Sequence, residues 1–138
     1  MIVTLSEKDC RELLRSATVG RLGFVRDGRV EIIPVSYLMH EGDVVIRTTT
    51  DGVLSALPDA EGPLAFEVDY HEPIGGIGWS VLTYGTLAVM ADDEVARIPD
   101  PGRVVPWAGG TRPLHLRFAI ESLSGRRVRR EREHGRGD

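Results

Sequence analysis

Apolar and polar residues recur with two different periods along this chain. Near the start, apolar residues are spaced three or four positions apart from Cys10 to Ala17, which predicts a helix within residues 4–17. Ser6 is placed to cap this helix by accepting a hydrogen bond from the N–H of Asp9. The same spacing assigns Cys10 to the core, as a small buried residue rather than a reactive thiol.

After residue 18 the period shortens to two, which is typical of strands. The runs that fit this pattern are 19–25, 30–39, 44–50, 64–68, 79–90 and 114–120. Residues 26–29 and 40–43 carry hairpin signals. Short helices are predicted at 52–57, ended by Pro58, and at 92–98, followed by a loop over 99–112. The elements predict a mainly β fold with short helices, built as a small six-stranded antiparallel barrel.

Charge is distributed unevenly along the chain. The net charge of −4 combines a segment 126–138, with six arginines and three carboxylates, and a body with eleven basic and eighteen acidic residues. An acidic body is a poor nucleic-acid-binding surface, because neutralising phosphates needs a basic face. We expect no nucleic-acid partner. The basic segment is expected to be solvated, and the domain prediction separates residues 1–128 from a flexible tail, 129–138.

Three observations point to a cytoplasmic protein without a membrane anchor. Cys10 is the single cysteine, so no disulfide within the chain is available, and no secretory signal precedes Ser6. The uncharged run 73–91 approaches membrane-spanning length, but its glycines and hydroxyl-bearing residues favour a buried strand.

Familiar catalytic motifs are missing from the sequence. It contains no nucleophile elbow, no zinc-protease motif and no phosphate-binding P-loop, and its four histidines lack metal-ligand spacing, so no metal site is predicted. The glycines of 75–78 precede a strand instead of opening a helix, which argues against a dinucleotide-binding loop.

Arg47 to Thr50 is the most informative polar stretch, because one guanidinium and three hydroxyls at a strand end suit a phosphate group. The alternative, on composition alone, is a surface arginine beside ordinary strand threonines. Trp79 and Trp107 each stand at an element boundary, where a tryptophan either covers a flat ligand or plugs the barrel.

Taken in order, these pieces resemble a known family. The runs VGRLGFVRDGRVEIIPVSYLMHEGDVVIRTT (19–49), LAFEVD (64–69) and GWSVLTYG (78–85), followed by Pro106-Trp107, are similar to the pyridoxamine 5′-phosphate oxidase-like proteins. The resemblance extends from about Leu5 to Val128. It implies the FMN-binding split-barrel fold, with Greek-key-like strand order, and a homodimer with cofactor sites at the interface.

The resemblance also implies which residues bind the cofactor. In this chain they are Ile33, Pro34, Val35, Ser36, Arg47, Thr48, Thr49, Leu54, Trp79, Ser80, Trp107 and Arg112. The strand 33–36 is expected beneath the flavin ring, Arg47 and Thr48 at the phosphate, and Trp107 and Arg112 in a loop from the partner subunit. Where relatives often carry a basic residue early in the short helix, this chain has Asp51, which leaves weak, altered or absent cofactor binding open.

The resulting hypothesis is an FMN-dependent oxidoreductase that acts on a small molecule. True pyridoxamine 5′-phosphate oxidation is not expected, because the sequence lacks a second basic cluster for the substrate phosphate. Two alternatives stay open: a reductase using the deazaflavin coenzyme F-420, and a non-enzymatic carrier or sensor of flavin or tetrapyrrole. The sequence identifies no catalytic residue, since a flavin supplies its own redox chemistry.

Overall fold

Antiparallel strands joined by tight turns make up most of the protein. The computed structural model describes residues 1–49, 52–59, 62–99 and 113–129. Its elements are β1 (Ile2–Thr4), α1 (Glu7–Ser16), β2 (Val19–Arg26), β3 (Arg29–His40), β4 (Asp43–Thr49), a 3₁₀ helix (Val53–Asp59), β5 (Leu64–Glu72), β6 (Ile77–Val89), α2 (Asp92–Val95) and β7 (Pro113–Arg129).

Six of the strands close into a barrel. Strands β2, β3 and β4 form a meander, and β5 returns beside β2, which is the Greek-key arrangement. Strand β6 follows β5, and β7 closes the ring by pairing with both β6 and β4. The predicted six-stranded split barrel is therefore confirmed, and β1 is a seventh strand added to the end of β7.

Both predicted hairpins turn through left-handed backbone conformations. Asp27 and Gly28 have φ values of 51° and 74°, and Glu41 and Gly42 have 51° and 82°. Two successive positive φ angles define the type I′ turn, whose twist matches that of the flanking strands. These local turns set the register of the β2–β3–β4 meander.

Alternate residues of the strands point into the main core, and Val45 packs with Met90 and Ile98 in a second, smaller cluster. Phe66 lies at the centre of the main core, with its ring edge-to-face against Tyr37 at a centroid distance of 4.9 Å. Helix α1 covers one end of the barrel, where Cys10 and Leu14 are fully buried and the Tyr37 hydroxyl donates a 2.5 Å hydrogen bond to the Leu14 carbonyl. Cys10 lies within the main core cluster, so its predicted core role is confirmed, and its burial raises the pKa of the thiol.

Strand β7 is much longer than predicted. The alternating pattern ends near Ile120, but the strand continues to Arg129. Its second half pairs with β6 and β1, including the pair Trp79–Arg127. Arg126, Arg127 and Arg129 are thus strand residues, and their side chains are exposed to solvent. The sequence pattern is weak here because most of these residues are exposed on both faces.

Other element boundaries also differ from prediction. Residues 2–4 form β1, which the sequence did not indicate, and the helix after it begins at Glu7. The 3₁₀ helix runs through Pro58, since the clash of proline with the carbonyl four residues back belongs to α-helical geometry. Helix α2 ends at Val95, three residues early.

The uncharged run 73–91 contains a turn and strand β6, as expected of a buried strand. Within the described parts of the chain, no helix has both the length and the apolar character needed to cross a membrane.

Candidate functional site

The barrel is split between β3 and β4. These strands pair only from Tyr37 to His40, opposite Ile46 to Asp43. Beyond Ile46, β4 parts from β3 and remains paired with β7, a pairing that extends from Val44 to Thr49. The preceding half of β3 therefore borders an opening, and the 3₁₀ helix follows β4 at this opening.

A groove of about 320 Å³ occupies the opening. We call it the β3 groove, and its lining is Glu31, Ile33, Pro34, Val35, Ser36, Arg47, Thr48, Gly52, Val53 and Leu54. Seven of these ten residues belong to the site predicted from the sequence. The structure thus brings together the strand 33–36, the phosphate-binding candidates Arg47 and Thr48, and Leu54 of the 3₁₀ helix.

The β3 groove combines an apolar floor with a polar end. Ile33, Val35 and Leu54 pack against the main core and present apolar surface. Arg47 and the nearly buried Thr48 supply a guanidinium group and a hydroxyl where β4 leaves β3. A cation with a neighbouring hydroxyl suits a phosphate, and an apolar floor suits an aromatic ring. The residues present therefore fit a phosphorylated aromatic cofactor.

Trp79 and Ser80 lie in a different place. They line a second cavity of about 370 Å³, which we call the β6 recess, together with Asp69, Tyr70, His71, Gly76, Gly78 and Val128. A neighbouring depression of about 310 Å³ shares Ser80 and includes Arg126. Strands β2 and β5 stand between β3 and β6 in the sheet, so the predicted site residues form two separate groups within one protomer.

The structure says less about the other predicted site residues, Thr49, Trp107 and Arg112. Thr49 ends β4, where its backbone pairs with Pro113. Trp107 and Arg112 lie outside the described residues, as does Asp51. Their predicted roles at the cofactor stay predictions.

Glu31, Gly52 and Val53 line the groove but were not among the predicted site residues, and Glu31 is the charged one of the three. Along β3, Glu31, Ile33 and Val35 share one face, and burial increases from Glu31 to Val35. A carboxylate on the core-facing register of a strand is unusual, because charged groups are rarely buried without a purpose or a partner. This departure from the period-two pattern was the signal in the sequence that could have identified Glu31.

An ionic cluster lies between the two groups of site residues, on the outer side of β2 and β5. The Arg21 guanidinium donates to the carboxylates of Glu67 at 3.0 Å and Asp69 at 2.9 Å. Partial burial, together with the adjacent Asp69 carboxylate, raises the pKa of Glu67 although Arg21 opposes this shift. Two carboxylates thus compete for one guanidinium.

The outer face of strands β3, β2, β5 and β6 also carries exposed apolar residues. Ile32, Gly23, Ala65 and Tyr84 are consecutive cross-strand partners, so they form one row across this face. Ile32 is 65% exposed and Tyr84 50%, and Val30 next to this row is 76% exposed. We call this surface the outer apolar face. Contiguous exposed apolar surface of this kind commonly marks an interaction site.

Comparison with known proteins identifies the family. The model of the pyridoxamine 5′-phosphate oxidase family matches residues 6–127, and the chain therefore belongs to this family. An uncharacterised protein of Mycobacterium tuberculosis is 34% identical over 133 residues, covering 92% of this chain and 86% of the relative.

Two solved structures are similar in fold over nearly the whole chain. One is a candidate pyridoxamine 5′-phosphate oxidase from Corynebacterium glutamicum, with a TM-score of 0.80, 26% identity and 96% of each chain covered. The other is an FAD-binding protein from Mycobacterium smegmatis, with a TM-score of 0.76, 26% identity, and coverage of 92% of this chain and all of that one.

Proposed function

We propose that this protein binds a flavin in the β3 groove, with FMN as its cofactor, and acts as an oxidoreductase on a small molecule in the cytoplasm. The observation that carries the proposal is that Arg47 and Thr48 border an apolar groove lined by strand 33–36. The similar M. smegmatis protein binds FAD, which supports a flavin as the ligand class. The single guanidinium among the described groove residues favours one phosphate, and hence FMN.

Each part of the groove has its own task in this proposal. Arg47 and Thr48 hold the phosphate by charge-assisted and neutral hydrogen bonds. Ile33, Val35 and Leu54 pack against the ring and exclude water from it. The flavin, when bound, supplies electron or hydride transfer, while the protein binds and orients it.

We further propose that the functional unit is a homodimer. At about 320 Å³ the β3 groove is near the lower limit of small-molecule pockets, roughly 300–1,000 Å³, so it encloses only part of a flavin. The β3 groove and the β6 recess lie near opposite edges of the outer apolar face. A second copy on this face, related by a two-fold axis parallel to the strands, brings its Trp79 and Ser80 to the first copy's groove.

The test is a titration of the purified protein with FMN, FAD and coenzyme F-420 in parallel, followed by flavin fluorescence or calorimetry. We expect FMN to bind more tightly than about 100 μM, which corresponds to about −5.5 kcal/mol. Tighter binding of F-420 than of FMN overturns the choice of cofactor. The absence of binding by all three overturns the assignment of the groove.

A further inference from the structure

Glu31 is the second charged group of the β3 groove, and it faces the ligand space. Its side chain is 33% exposed, and it shares the inward-directed register of β3 with Ile33 and Val35. Its charged neighbour is Arg26, whose Nε lies 3.5 Å from a Glu31 carboxylate oxygen and whose side chain is 48% exposed. The carboxylate therefore has its countercharge on the solvent side and not within the groove.

The two charges of the groove stand at opposite ends. Arg47 follows Ile46, which pairs with Tyr37, so Arg47 lies near Ser36 at one end of the lining part of β3. Glu31 lies five residues before Ser36 on an extended strand, a separation of about 16 Å. The apolar floor of Ile33 and Val35 lies between them. The groove is consequently polarised, positive at one end and negative at the other.

We infer that Glu31 orients the flavin in the β3 groove and makes the groove favour the oxidised, uncharged ring over the reduced, anionic ring. The inference rests on the proposed function. A phosphate is attracted to Arg47 and repelled by Glu31, so the ring extends along the apolar floor toward the carboxylate. Two-electron reduction with uptake of one proton gives the ring a negative charge above neutral pH, and that charge is repelled by Glu31.

The test compares the binding of oxidised FMN and of dithionite-reduced FMN, without oxygen and above neutral pH, in the parent protein and in Glu31→Gln. Glutamine keeps the size of the side chain and removes its charge. We expect the ratio of the reduced to the oxidised dissociation constant to fall about tenfold in E31Q. At an intermediate dielectric constant, the repulsion between two unit charges roughly 10 Å apart is large enough to change a dissociation constant by about this factor. For a two-electron couple, tenfold corresponds to a rise in potential of about 30 mV.

Arg26→Gln is the matched control, because it removes the countercharge and leaves Glu31 in place. We expect R26Q to shift the ratio in the opposite direction, and by less, since exposed charges are screened. A ratio in E31Q within about twofold of the parent value, or shifts of the same sign in both variants, overturns the inference while leaving flavin binding intact. Failure of the parent protein to bind oxidised FMN overturns the proposed function, and this inference with it.

Discussion

The β3 groove and the β6 recess have similar volumes, about 320 and about 370 Å³, but they differ in chemistry. The groove has an apolar floor with Arg47 at one end. The recess is lined by two glycines, Gly76 and Gly78, and by polar residues that include Asp69 and His71. An anionic aromatic ligand finds a cation, Arg47, in the groove, whereas the recess offers it the Asp69 carboxylate and no arginine or lysine among its described lining residues. Volume alone does not distinguish the two cavities, whereas the placement of one cation on apolar surface does.

The two regions also differ in how the barrel builds them. The groove exists because β4 leaves β3 at Ile46, so it is a feature of local strand divergence. The recess forms where the end of β5 pairs with β6 and where β6 in turn pairs with the second half of β7. We propose that one ligand needs both regions, each from a different subunit. The following predictions test this division of roles.

The largest effect is expected from Arg47→Ala. Loss of a charge-assisted hydrogen bond costs about 1.5–3 kcal/mol, so FMN binding is expected to weaken about 10-fold to 150-fold. The measurement is a fluorescence titration with FMN. Arg15→Ala, on the exposed surface of α1, is the control and is expected to bind like the parent. If R47A binds FMN as tightly as the parent protein, the β3 groove is not the phosphate site.

The second effect concerns the outer apolar face. Ile32→Glu places a charge in the row of exposed apolar residues, and burying that charge against a second copy is unfavourable. We expect the protein to elute as a monomer in size-exclusion chromatography with light scattering, and FMN affinity to fall about tenfold as the second half of the site is lost. A dimer with unchanged affinity in I32E means that this face is not the interface.

A mixing experiment tests whether one site combines the groove of one subunit with the recess of the other. Arg47→Ala damages the groove and Trp79→Ala damages the recess, so each variant alone is expected to bind FMN weakly. When the two are unfolded together and refolded in equal amounts, about a quarter of all sites combine an intact groove with an intact recess. Stoichiometric titration should recover that fraction. No recovery in the mixture contradicts a site shared between subunits.

The smallest effect is expected at the ionic cluster between the two regions. Because the pKa of Glu67 is raised in the folded protein, its ionised form is disfavoured there, and stability is lost as the pH rises through the folded pKa. Glu67→Gln should therefore gain stability over the parent from about pH 4 to about pH 7, by less than about 1 kcal/mol. Urea unfolding at both pH values measures this gain. In an Asp69→Asn background, the stability gained from Glu67→Gln should be smaller. A stability gain that does not depend on pH would contradict its assignment to the ionisation of Glu67.

Local signals predicted much of the fold. The helix over Glu7–Ser16, the two hairpin turns and the strands of the meander were recognisable because their determinants lie within a few residues of one another. The second half of β7 was not, because its strand conformation depends on pairing with β1 and β6, far away in sequence.

The candidate site, like the fold, was predicted only in part. Motifs in the sequence, through their resemblance to a known family, pointed to Arg47, Thr48 and the strand 33–36, and these residues meet in the β3 groove. The same resemblance placed Trp79 and Ser80 beside the flavin ring; within one protomer these two residues line the separate β6 recess, so their place at the ring stays a prediction that depends on a second copy. The role of Glu31 was also missed, since the role of a single charged residue in a strand depends on which residues of other elements surround it.

The sequence by itself determined the alternation of the strands, the handedness of the two tight turns and the cap of α1, because backbone preferences and short-range hydrogen bonds decide these features. Tertiary structure alone decided where β4 parts from β3, that Glu31 and Arg47 border one cavity, and that the β6 recess lies apart from it. The physical reason is that barrel closure depends on contacts between distant segments, whose formation must overcome chain entropy. A local sequence pattern does not show whether the contacts between distant segments outweigh the loss of chain entropy.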